Sequence, residues 1–564
     1  MKKYLLAAFA VFAFSPAFAQ SAGFRLGKWT EIQNAIIKEL NRSYVDSLPV
    51  DRIQRAGIDA MLESLDPYTM YVPEEDNEDF EFMIGKTYGG IGAIIYKPDT
   101  ESNVIINEPY ADSPAANAGL RCGDEIVTID GKTVRGLKAD EATSRMKGNP
   151  GTTVVFGVKK AFGGDGWKQG DTVEVRIVRQ RIHLPDVEYA GMLNDTTGYI
   201  LQTGFTERVS EDVRNAYLKL KAQGMKKLVL DLRGNGGGLL QEAVNIVSLF
   251  VPKGSVVVSS KGNENHPEEV FRTMREPVDT EIPIVVLVDS GTASSSEIVS
   301  GAFQDLDRAT ILGSRTYGKG LVQSVRPLPY NGQLKVTTAK YYTPSGRCIQ
   351  AIDYSHRNED GSVGHIPDSL TREFRTAHGR PVRDGGGITP DDTLTFRSYS
   401  RLVYSLVLGG IVDQYALDYG RRHESIAALD DFHFSDADYE DFIQFAMGKK
   451  FDYRSGARAL YDQMKRELDR DGMSDSMKDE IEALGKKLEI EKRDFLLLKK
   501  DEIIHDMNLY VREPMYSFHW YTMARINELL DQVPEGVFDE NASVWYREEY
   551  PKNMELCVPY LDPE

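Results

Sequence analysis

Two residues stand out for the chemistry they could do: Ser294 and Lys319, 25 residues apart, each in a turn marked by glycine. Ser294 lies in Asp289-Ser-Gly-Thr-Ala-Ser-Ser-Ser-Glu297 and Lys319 in Tyr317-Gly-Lys-Gly320, with Gln323 four residues further on. A serine hydroxyl becomes a nucleophile when a base removes its proton, and that base need not be histidine. A lysine serves if desolvation brings its pKa from about 10.4 towards roughly 7–8. The pair therefore predicts a serine hydrolase that works without histidine. Ser294-Ser-Ser-Glu297 also reads as an S-x-x-E capping box, in which serine and glutamate satisfy the free amides of a helix start. A nucleophile at that place gains from the same amides and from the positive end of the helix dipole.

Other residues could complete such a site. Gln323 could orient the amine or bind substrate through its amide. Arg233-Gly-Asn-Gly-Gly-Gly238 offers unhindered backbone amides at a helix start, and those of Gly237 and Gly238 could form an oxyanion hole with the amide of Ser295. This turn lacks the lysine-threonine ending of a nucleotide-binding loop. Of the nine histidines, none lies in H-E-x-x-H, and no G-x-S-x-G elbow surrounds Ser294. His356, His365 and His378 fall in a polar stretch, where surface roles are expected.

The elements that must carry these turns read clearly. Lys227–Leu232, Ile282–Val288 and Ala309–Leu312 are short apolar runs, as buried strands are, and each feeds one of the three turns. Thr197–Leu201 precedes them as a strand, Ser210–Gln223 reads as a helix, and Val336–Tyr342 follows as a strand. This alternation predicts an α/β core with its active residues at the strand ends. Residues 28–83 look helical, with a second helix over Asp51–Leu62 and a break at Leu65-Asp-Pro67. Between Ile352 and Gly387 lies a polar, loop-like stretch, long enough for a lid or an insertion. After Ser400 only helical spacing remains, and residues 475–510 read as one long charged helix.

With 564 residues the chain exceeds a single core, and three or four compact units are expected. A net charge of −19 argues against nucleic acid as a partner, which needs concentrated positive surface. Lys2 and Lys3, an apolar run over Leu5–Phe14 and Ala17-Phe-Ala19 predict a signal peptide cleaved after Ala19. The apolar run is too short to span a bilayer. Cys122, Cys348 and Cys557 form neither a disulfide framework nor a metal-ligand pattern, and no metal or cofactor is expected. The mature protein is thus expected to be exported, into the periplasm, and not to span the membrane.

Ser113-Pro-Ala-Ala-Asn-Ala-Gly-Leu120 followed by Gly123-Asp-Glu-Ile-Val-Thr-Ile-Asp-Gly131 resembles the helix and central strand of a PDZ domain. Gly90-Ile-Gly92, with Ala93 after it, is similar to that family's carboxylate-binding loop, whose amides hold the terminal carboxylate of an added peptide strand. Over most of the mature chain before its last domain, the sequence resembles the carboxy-terminal processing (tail-specific) serine peptidases. The motifs that carry this are the PDZ segment, Leu230-Asp-Leu-Arg-Gly-Asn-Gly-Gly-Gly238, Gly291-Thr-Ala-Ser-Ser-Ser-Glu-Ile298, Gly318-Lys-Gly-Leu-Val-Gln323 and Tyr342-Thr-Pro-Ser-Gly-Arg347, in the family's order.

The resemblance implies Ser294 as nucleophile, Lys319 as general base and Gln323 as the residue assisting the lysine. It also implies an oxyanion hole made by Ser295 and one amide of the Gly236–Gly238 turn. The organisation it implies is multidomain: a signal peptide (1–19), an N-terminal helical region (20–86), a PDZ domain (87–185), an α/β serine protease core of the crotonase/ClpP-like kind (186–400) and an all-helical C-terminal domain (401–564). The expected activity is endopeptidase cleavage of polypeptides recognised by their free C-termini, in a chain that can dimerise through its terminal helices. A catalytically inactive PDZ scaffold or chaperone is the rival reading. An esterase of small molecules leaves the PDZ segment unexplained.

Overall fold

The computed structural model describes residues 22–504 except residues 111, 165, 359–361, 395–399, 424–431 and 475. The signal segment over 1–19 and the tail after 504, with Cys557, lie outside the described residues.

Helices α1 (Ala22–Ser43) and α2 (Val50–Glu63) open the chain. The helical reading of 28–83 is interrupted, because the buried Asp66 carboxylate accepts the amides of Tyr68 (2.9 Å) and Thr69 (2.8 Å) in an Asx turn. Strand β1 (Met70–Val72) follows and is too short to betray itself by alternation; helix α3 (Asn77–Gly85) comes next.

The next unit is a small antiparallel sheet. Strand β2 (Thr87–Gly90) leads into β3 (Ala93–Tyr96), β4 (Val104–Pro109), helix α4 (Pro114–Asn117), β5 (Glu125–Ile129), β6 (Lys132–Thr133), helix α5 (Ala139–Met146), β7 (Thr153–Lys159) and β8 (Thr172–Val178). The sheet order is β3-β4-β5-β7-β8, with β6 beside β5, around buried Val104, Ile106, Ile126, Val154, Phe156 and Val158. The chain leaves through β9 (Gln180–His183), which pairs with β2, so entry and exit form one two-stranded ribbon.

The largest core follows: β10 (Val187–Met192), β11 (Thr197–Gln202), α6 (Val209–Ala222), β12 (Lys227–Asp231), α7 (Leu240–Val247), β13 (Val256–Gly262), β14 (Glu269–Arg272), β15 (Ile284–Val288), α8 (Ser295–Asp305), β16 (Thr310–Gly313), β17 (Leu321–Pro327) and β18 (Gln333–Tyr342). Its central sheet runs β10-β11-β12-β15-β16 and closes on β23 (Asp392–Thr393), parallel from β11 onward. Because the strand order advances steadily, right-handed crossovers put α6, α7 and α8 on one face. Alternate strand residues divide accordingly. Leu228, Leu230, Ile284, Val286 and Val288 pack under the helices, while Tyr199, Val229, Val285 and Leu287 pack on the other side. A second sheet, β1-β18-β13-β14 with β17 beside β18, ties the N-terminal segment to the core.

The stretch from Ile352 to Gly387 is not a continuous loop. It forms two hairpins, β19 (Ile352–Arg357) with β20 (Val363–His365) and β21 (Glu373–Arg375) with β22 (Pro381–Arg383). Its second half is pinned: buried Arg380 donates to Asp307 Oδ1 (2.5 Å), Asp391 Oδ1 (2.8 Å) and the Gln304 carbonyl (3.1 Å). His378 therefore corrects the surface expectation, since it is buried with Nδ1 3.3 Å from Asp307 Oδ2. His356 and His365 are exposed.

Helices α9 (Arg401–Leu408), α10 (Ile411–Arg422), α11 (Asp436–Met447), α12 (Gly456–Arg470), α13 (Lys478–Lys487) and α14 (Lys492–Leu498) form the last unit. The single helix expected over 475–510 is instead broken between α13 and α14. One straight helix could not serve both packing partners: Tyr461 donates to the Ile481 carbonyl (2.9 Å), whereas Tyr439 donates to the Leu496 carbonyl (2.6 Å) beside buried Phe495. Among the described residues no helix is long and apolar enough to cross a membrane.

Candidate active site

Three turns leave the carboxyl ends of β12, β15 and β16 and meet at one edge of the central sheet, where open α/β sheets place ligands. The first, Arg233–Gly238, is stapled to the second. The Asn235 carbonyl accepts the Ala293 amide (3.0 Å) and Ser296 Oγ (2.9 Å), and Ser295 Oγ donates to the Gly238 carbonyl (2.8 Å). Two hydroxyls of the triple serine are thus spent on structure, and the third is Ser294.

Ser294 adopts φ 56° and ψ −116°, a region costly for a residue with a side chain, of order 1–3 kcal/mol. The turn has the sharp strand-to-helix form of a nucleophile elbow without its G-x-S-x-G signature. The S-x-x-E capping box keeps its placement at this helix start, with Ser294 Oγ outside hydrogen-bonding geometry with the Glu297 amide. The Ser294 amide donates to Glu297 Oε2 (2.9 Å), but the Ser294 side chain accepts no capping bond. Its hydroxyl is left for the cleft, a cavity of about 430 Å³ that Ser294, Lys319 and Gln323 all line. A purely structural cap would have used that oxygen.

Glu297 is the residue that sequence reasoning undervalued. It is fully buried and accepts four bonds: Ser294 N (2.9 Å) and Lys319 N (2.9 Å) on one oxygen, Thr316 Oγ1 (2.6 Å) and Gly318 N (2.7 Å) on the other. One carboxylate therefore holds the serine turn and the lysine turn in register. Burial pushes its pKa up, while the four donors pull against that shift. A glutamate in an otherwise uncharged helix start was the available signal.

Lys319 is half-buried, with its Nζ 4.3 Å from the centre of the Tyr68 ring. Its pKa is lowered from 10.5 to about 8, chiefly by burial and then by the neighbouring Lys335 ammonium, with Glu297 and Asp66 opposing. No hydrogen bond joins Lys319 Nζ to Ser294 Oγ among the described residues; such bonds are often long before substrate binds. Gln323 lies on the same cleft but donates to Thr337 Oγ1 across the β17–β18 pair (3.3 Å) and not to Lys319. In sequence the Asp66–Tyr68 segment shows only a helix break, whereas in the fold Tyr68 walls the lysine.

Among the candidate oxyanion donors, the Gly237 amide is already taken by Asn235 Oδ1 (2.9 Å). The amides of Gly238 and Ser295 donate to none of the described residues. Gly237 matters for space: a Cβ there would lie 2.6 Å from the Ala293 carbonyl oxygen and 2.8 Å from the Ser295 amide nitrogen, at φ +92°.

On the small sheet, Gly90, Ile91, Ala93 and Ile95 face Thr143, Met146 and Lys147 across a cavity of about 170 Å³, with Phe82 of α3 at its edge. The carbonyls of Ile91 and Gly92 accept the Ala115 and Tyr110 amides (2.9 and 3.0 Å), and the Gly92 amide is turned to the Tyr88 hydroxyl. Gly92 has φ +76° and a Cβ would strike Ser113 at 2.6 Å, so glycine is required. Among the described residues no cluster of three or more His, Cys, Asp or Glu could hold a metal ion.

The profile of Peptidase family S41 matches residues 196–355, that of the PDZ domain residues 105–160, and that of the C-terminal helical domain of PDZ-proteases residues 402–517. A carboxy-terminal-processing protease of Bartonella bacilliformis is 37% identical over 322 residues, 56% of this chain and 71% of that protein. A CtpA-like serine protease of Staphylococcus aureus is 34% identical over 322 residues, 57% of this chain and 62% of that protein. Among solved structures, a photosystem II D1 C-terminal processing protease is 25% identical with a TM-score of 0.33, covering 64% of this chain and 91% of its own.

Proposed function

The chain belongs to the carboxy-terminal processing serine peptidases of family S41, with a PDZ domain, and from that premise we propose that it is an endopeptidase using a Ser294–Lys319 dyad. The observation that carries this reading is the strained elbow: Ser294 has its side chain released from capping and shares a cleft with a lysine whose charge burial disfavours. Neutral Lys319 takes the Ser294 proton as Oγ attacks the peptide carbonyl. The developing oxyanion is met by the amide of Ser295 and an unspent amide of the glycine turn, that of Gly238. The Lys319 ammonium then returns its proton to the leaving amine, and water resolves the acyl-enzyme by the same route. Tyr68 gives the transient ammonium a π face, and Gln323 acts as a wall of the cleft that contacts substrate or the amine.

The PDZ groove takes the free C-terminus of the polypeptide, its carboxylate on the amides of Ile91 and Gly92 and its last apolar side chains against Ile95 and Met146. Export to the periplasm through cleavage after Ala19 belongs to the same proposal, as does a homodimer. Exposed Phe24, Leu26, Trp29 and Ile36 on α1 support the dimer. The test is degradation of an unfolded polypeptide by the parent, Ser294→Ala and Lys319→Ala. Loss of cutting in both variants is expected. If both cut as fast as the parent, the dyad is wrong; if the parent itself cuts nothing, the inactive-scaffold reading takes its place.

A further inference from the structure

Three lysines line the catalytic cleft, and they differ in what answers their charge. Lys86 lies 2.6 Å from the buried Asp186 carboxylate. Lys319 stands over the Tyr68 ring with Glu297 behind it. Lys335 has no such answer: its ammonium forms no ion pair or hydrogen bond among the described residues, and burial lowers its pKa. The same cleft is lined by apolar Phe80, Met83, Ile84, Val322 and Val325, the last directly across from Lys335 on β17.

A partly desolvated ammonium with no counter-charge is unfavourable, and proteins retain one where a ligand completes it. The side chain is not there by loose chance. Strand β18 is held on both sides at this residue, by Met70 of β1 and Val325 of β17, so the ammonium is presented from a rigid element. Lysine presents a compact point charge with rotatable donors, which suits a carboxylate arriving on a flexible chain.

We propose that Lys335 is a carboxylate-binding residue of the catalytic cleft, taking a negative group of the polypeptide close to the scissile bond. That group is either an Asp or Glu side chain or the α-carboxylate of a chain end, the chemistry being the same. The inference rests on the cleft being the peptidase site proposed above, and it adds a charge preference at the site of cutting to whatever the PDZ groove selects.

The test is a cycle between enzyme and substrate, using the full chain and kcat/KM. One peptide pair differs by Glu or Gln near the cleaved bond, and the other by a free or amidated C-terminus. The parent is expected to prefer the carboxylate form of at least one pair by about tenfold or more, in line with a hydrogen bond to a charged group. Lys335→Gln should lower that preference about tenfold, to near unity for the Glu/Gln pair and to the PDZ groove's own share for the C-terminus pair, and Lys335→Arg should restore it. The pair that collapses identifies the source. Any effect on Lys319 acts alike on both members of a pair and cancels within each ratio, whereas PDZ recognition of a free C-terminus is common to parent and variant and cancels when their preferences are divided. Lys335→Met, which keeps the apolar stem, replaces Lys335→Gln should the latter misfold. An unchanged preference in both pairs overturns the proposal. Cutting by Ser294→Ala at the parent's rate would instead overturn the dyad on which it rests.

Discussion

Replacing Glu297 by Gln probes the joint between the Ser294 and Lys319 turns with a nearly isosteric side chain. The carboxylate accepts four bonds of 2.6–2.9 Å from Ser294 N, Thr316 Oγ1, Gly318 N and Lys319 N. A glutamine carbonyl can serve two of these donors, and its NH2 group must face the other two. Leaving two buried donors unsatisfied costs about 1–3 kcal/mol each, or about 2–6 kcal/mol together. If half of that, about 1–3 kcal/mol, falls on the register of the turns, kcat/KM drops roughly 5–150-fold; the remainder appears as a lower melting temperature. A second readout separates positioning from general damage. The Glu297 charge raises the pKa of Lys319, which stands at about 8, so removing it moves the rising limb of the pH–kcat/KM profile to lower pH. Steady-state kinetics on a fluorogenic polypeptide from pH 5 to 10, with circular dichroism as the folding control, reads both. A folded variant with undiminished kcat/KM refutes the reasoning. So does a reduced rate with an unmoved limb.

Stability gives a further check, since Lys319 has a folded pKa of about 8 against 10.5 for an ordinary lysine. Between those values the unfolded chain binds more protons, so this residue's contribution to stability rises with pH across that window, and its burial penalty is present in full below it. Lys319→Met should therefore be more resistant to urea than the parent at pH 7, with an advantage that shrinks towards pH 10.5. An advantage that does not change with pH would contradict the assignment. Gly237→Ala places a methyl group 2.8 Å from the Ser295 amide nitrogen at a φ of +92°. It should lower kcat on the order of 100-fold, as loss of an oxyanion donor does, and unchanged kcat would remove the glycine turn from the site.

Much of the architecture could be read from residue patterns because the strands announce themselves twice. Ile284–Val288 is apolar throughout, as a strand buried on both faces must be, and each such strand ends in a turn rich in glycine or serine. What escaped was non-local or very short. β1 has three residues, and its meaning lies in pairing with β18, far away in sequence. Glu297 matched a local capping pattern, and nothing in that pattern reveals its bonds to residues 316–319. His378 was judged by its polar neighbours, though Asp307 draws it inside. Of the stretch 475–510, residue 475 and residues 505–510 lie outside the described residues; within 478–498 the helical spacing is present, but its apolar residues serve two packing partners, which a straight rod cannot reach. The elbow at Ser294 lacked its usual glycines because the backbone strain is held by the Glu297 and Asn235 contacts instead.

If a neutral Lys319 draws the proton from Ser294, the pH dependence of kcat/KM carries the lysine's titration. A single rising limb is expected with an apparent pKa near 8, where burial and Lys335 place Lys319, and a plateau above it. A rate already level from pH 5 upward, or a limb centred near the ordinary histidine value of about 6.5, would contradict it.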